Sequence, residues 1–147
     1  MRFDVPRAEF AFEARVRCAP PQLMGRTPDG VSQMIPILGG TITGPKLSGE
    51  VLAGGADWPV TREDGVTIVE AHYGIRAEDG TIIQVFNRGL AIIERGAAQP
   101  VPHIRTVPRF VAPDGPHSWL NRRVFVGTVE ADPNDLSNVA VRIFELL

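Results

Sequence analysis

Glu70 and His72 stand two residues apart in the run Val66-Thr67-Ile68-Val69-Glu70-Ala71-His72-Tyr73-Gly74-Ile75-Arg76. Side chains of an extended chain alternate between two faces, so this spacing points the acid and the imidazole the same way. A carboxylate beside an imidazole raises the basicity of the ring and holds its tautomer, which makes the two a candidate acid/base pair if their face lines a lumen. On the solvated outside of a sheet the same pair does nothing. A further acid, Asp57, follows two glycines in Gly54-Gly55-Ala56-Asp57-Trp58-Pro59. Glycines let the backbone turn sharply or approach a neighbour closely, and such a turn can present Asp57 and Trp58 at the mouth of a closed sheet. The plain alternative is a tight corner, with Asp57 bonded to its own loop and Trp58 plugging the end.

The second half of the chain gathers arginines and aromatic rings in Asn87-Arg88-Gly89, Arg105, Arg109-Phe110 and Trp119-Leu120-Asn121-Arg122. An arginine fork fits a carboxylate, and a Phe or Trp face fits a flat ring, so these residues suit an anionic aromatic ligand. Ion pairs with acids on neighbouring strands are the competing use of each arginine. His72, His103 and His117 are too scattered for a metal motif, and the single cysteine, Cys18, excludes an intrachain disulfide and a thiolate cluster. Gly39-Gly40 and Gly54-Gly55 sit among strands, without the following helix that would hold a phosphate. Ser48 and Ser118 have no base beside them in a nucleophile motif. No metal and no cofactor is expected.

The elements that must position these residues are strands. Stretches with period-two alternation run from Glu9 to Cys18, Met34 to Thr43, Lys46 to Leu52, Val66 to Arg76, Thr81 to Arg88, Arg122 to Val129 and Val139 to Leu146. Glu78-Asp79-Gly80 is a hairpin turn between the fourth and fifth. Pro133-Asn134-Asp135 separates the last two, which should pair as a C-terminal hairpin. The segment Gly96 to Pro116 contains five prolines and reads as a long loop, with or without one extended strand, at the rim of a pocket. Strands linked by short turns, without intervening helices, predict a closed antiparallel β-barrel in a single all-β domain spanning residues 1–147, with a β-sandwich as the alternative.

Composition agrees with a folded chain. Hydrophobic residues are 44% and charged residues 22% of the 147, and the formal net charge is −2, which gives no basic field for nucleic acid. The polar start and the lack of an apolar run of about 20 residues predict no membrane span and a cytoplasmic location.

Gly39-Gly40, Gly44-Pro45, Gly49, Gly54-Gly55-Ala56-Asp57-Trp58, Asp79-Gly80, Asn87-Arg88-Gly89, Pro108-Arg109-Phe110 and Trp119-Leu120-Asn121 follow one another in an order and spacing that resemble the family called domain of unknown function 3237. The resemblance runs from about Phe10 to Leu146. It implies a compact β-barrel, often oligomeric, with these motifs gathered towards a pocket at one end, and a biochemical role that is largely unassigned. A few relatives look like cofactor-independent lyases that decarboxylate aromatic acids. By position, Asp57, Trp58, Asn87, Arg88, Arg105, Arg109, Phe110 and Trp119 match the family pattern. Two departures stand out. Glu70-Ala71-His72-Tyr73 replaces a common Asp-Ala-Arg-Tyr, and His103-Ile104 replaces an aromatic pair before Arg105-Thr106.

Together these readings predict a cofactor-independent lyase, such as a decarboxylase, or an isomerase, acting on a small aromatic or polyketide-like carboxylic acid. Asp57, Glu70 and His72 would move protons, Asn87, Arg88, Arg105 and Arg109 would hold polar groups, and Trp58, Phe110 and Trp119 would enclose the ring. A non-catalytic binding barrel and a structural subunit of a homo-oligomer are the rival expectations.

Overall fold

The computed structural model describes residues 1–93, 101–132 and 134–147. Eleven strands form one antiparallel sheet: β1 (Ala8–Cys18), β2 (Gln22–Thr27), β3 (Gly30–Thr43), β4 (Gly49–Val51), β5 (Ala56–Asp57), β6 (Val60–Thr61), β7 (Thr67–Ala77), β8 (Ile82–Ile93), β9 (Pro102–Val111), β10 (Phe125–Asp132) and β11 (Asp135–Leu146). The path β1-β11-β10-β9-β8-β7 continues through the short strands β4, β5 and β6 to β3, and β3 pairs back onto β1. Counting the three short strands as one interrupted stave, the sheet closes as an eight-stave barrel with no free edge along that path. β2 pairs only with β3, as a hairpin arm.

The β7–β8 hairpin forms as its turn residues require, and Asp79 Oδ1 accepts the Thr81 backbone N–H at 3.0 Å. β10 and β11 pair as the last hairpin; Pro133, between them in the sequence, lies outside the described residues. Two expectations need correction. The proline-rich segment is less of a loop than expected: its one extended strand is a full stave, β9, laddered to β8 from Ile93↔Pro102 to Gln84↔Val111. It tolerates Pro108 because its ladder to β10 covers only two pairs, Gly127↔Thr106 and Thr128↔Arg105. Residues 94–100 of the expected loop lie outside the described residues. The strand expected from Arg122 starts at Phe125, because Ser118–Arg122 is a 3₁₀ turn.

That turn stoppers one end. Its Leu120 is 2% exposed and belongs to the core with Phe12, Ile42, Ile75, Ile83, Phe110, Phe125 and Ile143. Phe110 meets Phe12 and Phe125 edge-on, at ring centroid distances of 5.8 and 4.9 Å. Asn121 fastens the turn: its carboxamide donates to the Ala112 carbonyl and accepts the Ala112 N–H, at 2.9 and 2.8 Å. Among the described residues no helix is long and apolar enough to cross a membrane.

Candidate functional site

Phenylalanines fill the lumen at the stoppered end, and towards the other the inward side chains include Cys18, Ala71 and Thr106 among valines and isoleucines, so the lumen stays open there. A cavity of about 410 Å³ results, walled mainly by apolar side chains such as Val16, Ile35, Ile37, Val69, Val129 and Val139. Its polar wall groups are Asp57, Asn87, Thr106, Tyr73, Gln33 and Cys18, together with Thr61 and Thr67 nearer the mouth.

The register places the first four on successive staves. Asp57 on β5 faces Ala71 on β7, and Ala71 faces Asn87 on β8. Thr106 on β9 pairs with Gly89, two residues beyond Asn87. Tyr73 lies two residues from Ala71 on the same inward face of β7. Gly55 admits the phenol-bearing strand: a Cβ there would stand 2.4 Å from Cβ of Tyr73 and 2.6 Å from the His72 carbonyl oxygen. Gly127 does the same for Thr106, whose Oγ1 would be 2.4 Å from an added Cβ. These close approaches explain glycine at both positions.

Burial pushes the Asp57 carboxyl above its ordinary value of 3.8, and the Glu70 carboxylate adds to the rise; the backbone N–H groups of Glu70 and Trp58 work against it. Glu70 N–H donates to Asp57 Oδ1 at 3.0 Å. Burial, with a smaller contribution from Asp57, raises the Cys18 thiol, and burial raises the Tyr73 phenol. Both therefore stay protonated near neutral pH. Asn87 and Thr106 are 6% and 3% exposed, and Asn87 Oδ1 and Thr106 Oγ1 have no hydrogen-bond partner among the described residues.

Of the residues singled out in the sequence, Asp57 and Asn87 line the cavity and the others do not. Glu70 and His72 project outside: the face of β7 that turns inward is Thr67, Val69, Ala71, Tyr73 and Ile75. His72 stacks on Phe86 at 4.2 Å and its Nε2 lies 3.1 Å from Gln84 Oε1, while Glu70 pairs with Arg88 at 3.6 Å. Arg88, Arg105 and Arg109 are exposed on the outer wall, and Arg109 lies over the Phe86 ring, 4.3 Å from its centroid. Phe110 is core packing. Trp119 lies at the stoppered end, packed on Phe125 and bordering a shallow depression with Lys46, Arg123 and Glu145. Trp58 is 48% exposed. The expected convergence of arginines and rings on one pocket is therefore not found, because strand alternation turns each outward arginine away from the inward neighbour it shares a motif with. Sequence reasoning passed over Tyr73 and Thr106, although the apolar character of Val69, Ala71 and Ile75 marks the Tyr73 face as the inner one. Among the described residues, no three His, Cys, Asp or Glu side chains come together as a metal-binding group.

A UPF0311 protein of Rhodopseudomonas palustris is 32% identical over 132 residues, which is 82% of this chain and 85% of that protein. A β-barrel-like protein of Acinetobacter baumannii superposes with a TM-score of 0.90 at 25% identity, covering 99% of each chain. A hydroalkoxylation enzyme of Penicillium herquei is 27% identical over 123 residues, 84% of this chain and 74% of the enzyme. Residues 6–146 match the sequence profile of one family along almost the whole barrel, and the chain belongs to that family, the proteins of unknown function designated DUF3237.

Proposed function

We propose that this barrel is a cofactor-independent enzyme of the lyase or isomerase type, which moves protons on a small, uncharged, largely apolar molecule held in the lumen. The observation that carries this reading is Asp57: a carboxyl raised by burial, in the wall of a cavity large enough for a one- or two-ring compound. A carboxyl of raised pKa can donate a proton to carbon and, once ionised, take one from oxygen. In an addition of a hydroxyl across a carbon–carbon double bond, Asp57 would protonate one alkene carbon while the hydroxyl oxygen bonds to the other. The carboxylate would then receive the hydroxyl proton and be restored. Elimination is the same path reversed. The hydroalkoxylation activity in the name of the Penicillium herquei relative supports this class of chemistry.

An acid substrate is less well served. The residues expected to hold a carboxylate, Arg88 and Arg105, are exposed on the outer wall, and no Lys, Arg or His lines the cavity among the described residues. A buried carboxylate beside Asp57 would lack a counter-charge.

The test is incubation of the protein with a panel of enones, enols and alkenyl alcohols in heavy water. Deuterium incorporation at carbon, lost in Asp57→Asn while the fold is kept, is the expected result. Incorporation at the wild-type rate in that variant would refute the role of Asp57.

A second reading is favoured by the outer face of β8 and β9, where Leu90, Ile92 and Val107 are exposed beside the His72–Phe86–Arg109 stack. Aromatic residues and arginine among apolar side chains are typical of subunit contacts, so the barrel is proposed to associate with copies of itself. Sedimentation of the wild type against Val107→Glu tests this, and a monomer at all concentrations would refute it.

A further inference from the structure

Asn87 and Thr106 line the cavity, and their Oδ1 and Oγ1 are buried atoms with no hydrogen-bond partner among the described residues. Buried groups of this kind are nearly always hydrogen-bonded in folded proteins, so the two mark a place where a ligand atom completes the wall. Register places them as diagonal neighbours: Asn87 pairs with Pro108, and Thr106 is two residues along on the same inward face. Diagonal neighbours in an antiparallel pair lie about 7–8 Å apart, their Cβ atoms somewhat closer, a span that one oxygen atom hydrogen-bonded to both side chains can bridge. The Thr106 hydroxyl lies against the face of Gly127 that a Cβ would occupy, with Ile143 Cδ1 beside it.

We infer that Asn87 and Thr106 form a subsite that recognises a neutral hydroxyl group of the ligand, which makes an uncharged phenol or alcohol the substrate class. The inference rests on the proton-transfer reading of Asp57 for its catalytic meaning, and on the two orphaned atoms for its chemistry. A hydroxyl is both donor and acceptor: its O–H donates to Asn87 Oδ1, and its oxygen accepts from Thr106. A carboxylate or a ketone has only acceptors and would leave the Asn87 oxygen unmet. The subsite is also set at a useful distance from the acid. Asp57 and Asn87 lie on either side of Ala71, so their backbones are two strand spacings apart, roughly 10 Å. After the reach of both side chains, about one ring fits between the anchored hydroxyl and the carbon that meets the proton.

Three probes of one size and shape test this: 2-naphthol, 2-methylnaphthalene and 2-naphthoate, titrated against wild type, Asn87→Leu, Thr106→Val and Thr106→Ser. Wild type should bind 2-naphthol at least about tenfold more tightly than 2-methylnaphthalene, a modest loss for a site built around a hydroxyl, and should bind 2-naphthoate more weakly than 2-naphthol. The naphthol advantage should shrink to about threefold or less in Asn87→Leu and Thr106→Val, at roughly one net hydrogen bond each. It should persist in Thr106→Ser, which keeps the hydroxyl. Melting curves confirm that each variant is folded. Equal binding of the three probes, binding of none, preference for the naphthoate, or an advantage that survives both polar-to-apolar variants would each overturn the subsite. Asp57→Asn separates this inference from the catalytic one. A naphthol advantage that collapses only there moves the anchor to Asp57 and leaves its proton role standing. An intact advantage with undiminished proton exchange in Asp57→Asn removes the catalytic reading and leaves the subsite in place.

Discussion

Replacing Thr106 by valine exchanges a hydroxyl for a methyl of similar size on a side chain with the same branched backbone preference. The hydroxyl is buried without a partner, a condition that costs about 1–3 kcal/mol in a folded protein. The methyl adds apolar burial worth about 0.8 kcal/mol. Against these gains stands the tight space above Gly127, where an added Cβ would be 2.4 Å from the hydroxyl oxygen, so the larger methyl gives back about 1 kcal/mol in overpacking. The balance is a free protein more stable by about 1–3 kcal/mol. With a denaturant slope near 2 kcal/mol per molar urea, the unfolding midpoint should rise by about 0.5–1.5 M with the slope unchanged. The same variant should bind hydroxylated ligands less well, so stability and recognition move in opposite directions at one residue. A midpoint lowered by about 0.5 M at constant slope would show that the hydroxyl is already held in the free protein, and the reasoning from orphaned atoms would fail.

Asp57→Asn keeps the oxygen that accepts the Glu70 N–H and removes the titration. Because burial raises the folded-state pKa above the ordinary 3.8, the folded protein binds the extra proton between those two values, and the wild type loses stability as pH rises through that window. The variant should therefore match the wild type below pH 3.8 and become the more stable of the two as pH rises, levelling above the folded-state pKa, in urea titrations across pH. Ala71→Leu, between Asp57 and Asn87 in the register, should fill part of the cavity, raise stability by about 0.5–2 kcal/mol and abolish probe binding in a fluorescence titration. Leu120→Ala, at the stoppered end, should cost about 2–5 kcal/mol and lower the melting temperature by roughly 5–15 °C without altering the cavity's selectivity. His72→Ala should leave proton exchange at carbon within about twofold of wild type, since this side chain is exposed on the outer wall.

What the sequence made legible follows from how strands encode information. Alternation and turn chemistry identify most of the staves, and the Asp79-Gly80 hairpin pins the register of β7 against β8. Parity is harder. In Asn87-Arg88-Gly89 and Pro108-Arg109-Phe110 the neighbours of a motif cannot share a face, so Asn87, Pro108 and Phe110 turn inward only if Arg88 and Arg109 turn outward. Reading each motif as a unit put all of its members in one pocket, and the barrel divides them. Glu70 and His72 fell to the same ambiguity: their spacing shows that they point together, but not which way. β9 was hidden for a different reason, since Pro102 and Pro108 argue against a laddered stave, and nothing local reveals that its ladder to β10 is short.

The site itself is a consequence of side-chain size along the staves. An eight-stranded barrel is just wide enough for its own side chains to fill, so a cavity arises only where inward positions are small. At the stoppered end they are Phe12, Ile75, Ile83, Phe110 and Phe125, and the lumen is solid. Towards the other end Cys18, Ala71 and Thr106 share the wall with valines and isoleucines, no phenylalanine enters among the described residues, and the lumen opens. The packed half supplies the stability that lets the open half leave apolar wall unburied and two polar atoms unmet. Burial by that same apolar wall raises the pKa of Asp57, so the substitutions that create room for a ligand also tune the acid that would act on it.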